Sequence, residues 1–336
     1  MDVLPRSAAC PELSPEVLLH AGPPFRGVPP PPVINSAIQA LLFEGLSSDA
    51  AEARELLLRG DIELRPAQNH RIATPLAQVV SASMLMLAVE QRGEICYAPM
   101  IEGSGPALRF GSAAPECLER MRSVGAWLES RVAPLVRNAP VAIEDLIRTA
   151  VAAGDECHAR TSVANEALAA KLPGLDSGSI ERLRAMPAFV LPVLMAAACA
   201  VMRSHRCDIE AVGGNGLEYG VRRREEREWR QLAAHAPRGS RFDGLGALRP
   251  LAAIGDSAVI DFCGLGGQAL CVAPMLVAEW SDALPADALS RRQRVLDPRS
   301  GIVDAERILG SGLAPLINLA IIDSDGAAGL IGRRLL

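Results

Sequence analysis

Residues 185–202 form an unbroken apolar run bounded by Arg184 and Arg203, and this run limits what the 336-residue chain can fold into more than any other feature. Its length approaches the roughly 20 residues that cross a bilayer. It contains Pro187 and Pro192, is rich in alanine, and stands alone in the sequence. It therefore reads as a buried core helix that starts near one of the two prolines, where a missing amide does no harm. With 49% apolar residues the chain can fill a sizeable core around it.

Charge narrows the range of partners. A formal charge of −5 and a pI near 5.7 argue against nucleic acid or an anionic membrane, which both require a basic footprint. Small anions can still bind at local arginines. Lys171 is the sole lysine and sits at what reads as a helix end, where a solvated charge is the ordinary explanation. The eight cysteines, Cys10, Cys96, Cys117, Cys157, Cys199, Cys207, Cys263 and Cys271, show no CxxC spacing. This fits a reducing compartment with neither zinc ribbon nor redox motif. The beginning of the chain has no basic stretch followed by an apolar one, so a cytoplasmic location is expected.

The organisation reads as four sections. Residues 1–32 are proline-rich and end in Pro29-Pro30-Pro31-Pro32, which favours extended chain, an arm or linker. Residues 33–114 begin with two helices over 33–58, with Ser47-Ser48-Asp49 supplying caps and Gly60 a stop. Strands are expected at 62–64, 77–80, 84–90 and 95–101, the last two joined in a hairpin through Gln91-Arg92-Gly93-Glu94. Residues 115–206 are mainly helical, with Leu118, Met121, Val124, Trp127 and Leu128 on one face. Residues 207–336 are glycine-rich with short strands, among them 258–263 and 313–322. Because strands cluster with hairpin signals and form no regular βαβ units, an α+β fold of several subdomains with mixed or antiparallel sheets is expected.

The densest chemical segment is Gly154-Asp155-Glu156-Cys157-His158-Ala159-Arg160. On a helix, Asp155 would share a face with His158, and Glu156 with Arg160. A carboxylate orienting an imidazole for proton transfer, beside a guanidinium gripping an anion, fits that pattern. An ordinary surface helix with ion pairs fits it equally well. No metal signature accompanies it, and neither metal nor cofactor is expected. Gly264-Leu265-Gly266-Gly267-Gln268-Ala269 could cradle a phosphate on its amides or could be a plain turn. Asn215 and Glu218, and Asp256 and Ser257, each stand beside glycines in candidate ligand loops. The run 222–228 reads as a solvated helical face, and His70 has polar neighbours suggestive of a site.

Taken in order, several segments resemble the family of the large subunit of the FdrA-associated oxamate carbamoyltransferase. They start with Leu18-Leu19-His20-Ala21-Gly22-Pro23-Pro24 and Phe43-Glu44-Gly45-Leu46, then His70, Val80-Ser81-Ala82-Ser83-Met84 and Glu102-Gly103. Gly154-Asp155-Glu156-Cys157-His158 with Arg160 resembles the family's GDECHNR, and Asn215-Gly216 with Tyr219-Gly220 its NGxxFG. Ile254-Gly255-Asp256-Ser257-Ala258, Gly264-Leu265-Gly266-Gly267 and Pro315-Leu316-Ile317-Asn318 are similar to its IGDSA, GxGG and PVIN segments.

The resemblance implies carbamoyl exchange between oxalurate or oxamate and phosphate, carried out in an oligomer with partner subunits. On that basis His158 is assigned as base, with Asp155 and Glu156 as catalytic carboxylates. The ligands assigned to small anions such as carbamoyl phosphate, phosphate or oxamate are Arg160, Asn215, Glu218, Asp256, Ser257, Gly264, Gly266, Gly267, Asn318, His70 and Glu102. The chain departs from the family pattern at Ala159, where the family has Asn, and at Asp323-Ser324, where it has His-Lys. A subunit that keeps the fold and has lost catalysis is the alternative these departures raise.

Overall fold

The computed structural model describes residues 1–103, 105–205 and 208–335, so the expected start of the last section at Cys207 lies outside it. The first residues do not form a free arm. Asp2–Pro5 (β1) pairs antiparallel with residues 85–88, placing Val3 in the core. Val17–His20 (β2) is buried at every position. Only the end of the proline-rich segment remains extended, and Pro31 and Pro32 open the helix Pro31–Glu44 (α1), where fixed φ suits the first turn.

Gly45 ends α1 in the left-handed region, and Asp49 caps Ala50–Arg59 (α2) by accepting from the amides of Ala51 and Glu52. Glu63–Pro66 (β3) then lies parallel to β2. The segment 77–80 is not a strand. Its amides are taken by Arg109 O, Pro75 O and the Ser36 hydroxyl, and only Val80 bridges to Leu19. Leu85–Gln91 (β4) and Glu94–Pro99 (β5) form the expected hairpin. Arg92 and Gly93 both have positive φ, 51° and 84°, the two-residue turn whose twist matches the strands.

A helical block follows, beginning with Glu116–Trp127 (α3) and closing with Leu191–Ser204 (α4). Pro192 lies in the first turn of α4, and residues 192–200 are all buried. The helix packs across β4 and β5 of the sheet β1-β4-β5. Covering Val193, Leu194 and Met195 contributes roughly 1.5–3 kcal/mol each. Among the described residues no helix is long and apolar enough to cross a membrane.

The last section holds Ile209–Asn215 (β6), Glu218–Arg223 (β7), Arg230–Ala233 (β8), Ser240–Arg241 (β9) and Ile254–Gly255 (β10), with sheet order β10-β6-β7-β8. The charged run 222–228 is the end of β7 and a turn, not a helix. Its arginines pair with Glu210 and Asp208 on the neighbouring β6 side. The run expected as a strand at 258–263 is a short helix, Ala258–Phe262 (α5), because a brief, mostly apolar stretch carries no period to separate the two. Asn318–Ile322 (β11) and Leu330–Leu335 (β12) complete a sheet ordered β11-β12-β9. Pro315 keeps the preceding residues out of β11. Apart from β2 and β3 these strand pairs are antiparallel, and the fold is α+β.

Candidate active site

Residues 153–161 form a loop between the helices Ile143–Ala152 and Ser162–Ala170, so the helical spacing expected for this segment does not apply. Gly154 and Cys157 sit at positive φ, 81° and 69°, and turn successive side chains in unrelated directions. Asp155 does not orient His158. Its Oδ1 accepts from the Cys157 amide, and its Oδ2 accepts from Val163 N (2.8 Å) and Ala164 N (3.3 Å), which caps the following helix. Burial raises its pKa and the three amides oppose that rise.

Glu156 is fully buried and accepts from the amides of Ala159 and Arg160 and from Asn318 Nδ2 at 2.6 Å. It holds the loop against β11. Burial pushes its carboxyl pKa up, again against its amide donors.

The carboxylate that faces His158 is Asp261, on α5, whose Oδ2 lies 2.9 Å from Nδ1. The approach is off the ideal hydrogen-bond axis, so attraction of charge contributes more than alignment. Asp261 Oδ1 accepts from Gly267 N at 2.7 Å and Asn318 N at 3.1 Å. A Cβ at Gly266 would stand 2.3 Å from Asp261 Oδ1 and 3.1 Å from His158 Cβ, so only glycine lets imidazole and carboxylate meet there. Burial works against the imidazolium, but Asp261, with help from Glu156, outweighs it and holds the His158 pKa above its ordinary 6.5.

His158, Arg160, Asn318, Ser257 and Arg109 line one cavity of about 560 Å³. With Nδ1 turned to Asp261, Nε2 is the imidazole nitrogen left for a ligand. Arg109 belongs to the turn Leu108–Phe110 and is buried. Its Nη2 donates to Gly103 O, its Nη1 lies 3.6 Å from Glu102 Oε2, and its guanidinium stacks 4.3 Å from the Phe110 ring centre. Burial lowers the pKa of Arg109 and raises that of Glu102, and the two charges restrain each other. Glu102 also accepts from Leu108 N, so it fixes the arginine and contacts no ligand space itself.

Several expected ligands lie elsewhere. The amides of the glycine turn are already engaged: Gly264 N to Asp261 O, Gly266 N to Glu156 O and Gly267 N to the Asp261 side chain. No phosphate cradle remains, and the turn instead braces Asp261. Asn215 donates to Pro23 O and Glu218, and accepts from the amides of Leu217 and Glu218, which builds the β6–β7 turn. Asp256 is fully buried, accepts from Gly22 N, Thr74 N and Gln68, and is pushed up to about 7 by burial. It ties β10 to the start of the chain. His70 sits beside Glu12 (3.6 Å), does not line the cavity, and has its pKa lowered mainly by burial. Sequence reasoning missed Arg109 and Asp261. Each is a single charge inside an apolar stretch, and such a charge needs a partner once buried.

Fold and site together define an α+β protein in which loop residues and β11 line a cavity that presents a histidine and two arginines. A family model described as oxamate carbamoyltransferase subunit AllG matches residues 62–257, more than half of the chain, and the chain belongs to that family. The oxamate carbamoyltransferase subunit AllG of Escherichia coli K12 is 27% identical, over 99% of this chain and 88% of its own length. The uncharacterized protein YahG of the same strain is 30% identical, over 96% of this chain and 76% of its own. A crystal structure of a conserved protein of unknown function from Enterococcus faecalis V583 shares the fold with a TM-score of 0.84. That pair is 24% identical, covering 99% of this chain and 90% of the other.

Proposed function

We propose that the chain is a carbamoyltransferase subunit that exchanges a carbamoyl group between an oxamate-type amide and phosphate and acts with partner subunits. The observation that carries this reading is the buried Asp261–His158 pair on the wall of a cavity that also presents Arg109 and Arg160. In the forward direction the amide nitrogen attacks the carbamoyl carbon of carbamoyl phosphate, the bond from that carbon to the phosphate oxygen breaks, and phosphate leaves. The proton lost by the nitrogen passes to Nε2 of His158, and Asp261 stabilises the imidazolium that results. Arg109 and Arg160 hold the carboxylate and phosphate charges. Asn318, fixed by Glu156, and Ser257 supply polar contacts on the same wall.

The test is phosphorolysis of oxalurate, followed as carbamoyl phosphate formation, by the purified chain alone and with co-expressed partner subunits. His158→Ala should abolish turnover while the melting temperature stays within a few degrees. Full activity in that variant removes the assigned role.

A second reading, a subunit that keeps the fold and has lost catalysis, is favoured by the turn after β11. Asp323 there accepts from Ala328 N and Ser324 donates to Asp325, so neither presents the cation and imidazole that the family pattern implies. It requires that substitutions of His158 and Arg160 leave every activity of the assembled complex unchanged.

A further inference from the structure

The cavity is too large and too apolar for oxamate and phosphate alone. The reacting pair, oxamate with carbamoyl phosphate, carries about fourteen heavy atoms, and with each taking no more than a water's share of roughly 30 Å³ it fills at most about three quarters of the space. The cavity measures about 560 Å³. Its apolar lining includes Leu76, Ile101, Phe110, Met186, Phe189 and Trp280. A polar ligand lying against such walls forfeits its hydrogen bonds to water and gains none in return, whereas an apolar group gains by leaving water. Arg109 sits among these walls, stacked on Phe110, with Nη1 buried and without a hydrogen-bond partner. An anionic end and an apolar end are thus provided for within one space.

We infer that the ligand of this cavity is a carboxylate-bearing amide or ureide carrying an apolar substituent, with its carboxylate at Arg109 and its substituent along the Leu76, Ile101, Phe189 and Trp280 walls. The inference rests on the transferase reading for its amide and carboxylate chemistry, and adds the size and polarity of the rest of the molecule. Amide and carbamoyl groups face His158 and Arg160, and the substituent occupies the part of the cavity that the small anions leave empty.

The experiment is calorimetric titration of the full chain with oxamate and its N-ethyl, N-butyl and N-benzyl derivatives. Affinity should rise about fourfold for each methylene buried, up to the filled volume. Arg109→Gln should weaken every member at least about tenfold, as loss of a charge-assisted contact does. Ala188→Phe, which adds bulk at a residue lining the cavity, should compress the ratio between N-butyloxamate and oxamate to within about twofold. Oxamate binding as tightly as its derivatives, a ratio unaltered in Ala188→Phe, or no binding by any member would each overturn the inference. Carbamoyl transfer measured in parallel separates the two ideas. Transfer without size dependence leaves the transferase reading and removes this one, and size-dependent binding without transfer does the reverse.

Discussion

Asp261 and His158 make a testable pair because Asp261 supplies the larger of the two charges that sustain the imidazolium. In Asp261→Asn only Glu156 is left to oppose the burial that disfavours imidazolium, so the His158 pKa should fall. Turnover at pH 7 should drop at least about tenfold, with its acid limb displaced toward lower pH. A pH–rate profile that does not move would mean the pair is structural. Stability carries the same sign. A histidine pKa raised on folding stabilises fully below the unfolded value near 6.5, and this contribution is lost as pH rises through the folded value. The difference in melting temperature between wild type and His158→Gln should therefore shrink between pH 6 and 9.

Asp256 behaves oppositely to an ordinary paired carboxylate. Its pKa is raised to about 7, so its contribution is most favourable below pH 4 and declines as pH rises toward neutrality. Asp256→Asn places an amide donor against Gly22 N, Thr74 N or Gln68 and should cost about 1–3 kcal/mol, measurable by denaturant titration. At this scale the sequence was half readable. His158, Glu156 and Arg160 stood out as a dense ionisable cluster. Asp261 did not, because spacing reports neighbours on a helix and the cluster is a loop whose partner comes from a distant helix.

Elements divide by how much of their signal is local. The hairpin of β4 and β5, the cap at Asp49 and the proline-led α4 were legible because turn chemistry and apolar length are written into consecutive residues. The strand expected at 77–80 was not, since its backbone partners, Ser36 and Arg109 among them, come from remote segments, and the one expected at 258–263 was not, since so short a run carries no period to tell helix from strand. The glycine turn was legible as a turn and misleading as a phosphate site, because only the fold shows that its amides are spent. Gly266→Ala should be destabilising and impair turnover together, since its Cβ would enter the space between Asp261 and His158. Unchanged stability and turnover would show that the contact can relax. Removing residues 1–5 uncovers β4 as a sheet edge and should lower the melting temperature and promote association, checked by calorimetry and light scattering.

For the whole molecule, clustered hairpins and a lone buried helix were enough to indicate an α+β architecture. What composition could not show was closure between the ends of the chain. The amide of Gly22 reaches Asp256 across 234 residues, and β1 completes a sheet whose other strands come much later. During synthesis at about 5–20 residues per second, the segment around Gly22 must wait on the order of 10–50 s before its anchor leaves the ribosome. Until then β2 has cover only from β3, α1 and the segment at Val80. A nascent chain stalled before Asp256 should remain protease-sensitive in its first 60 residues, and release past that point should protect them within one step. The tie between Gly22 and Asp256 is thus a late closure, and until it forms the early chain relies on its own contacts with β3 and the first helices.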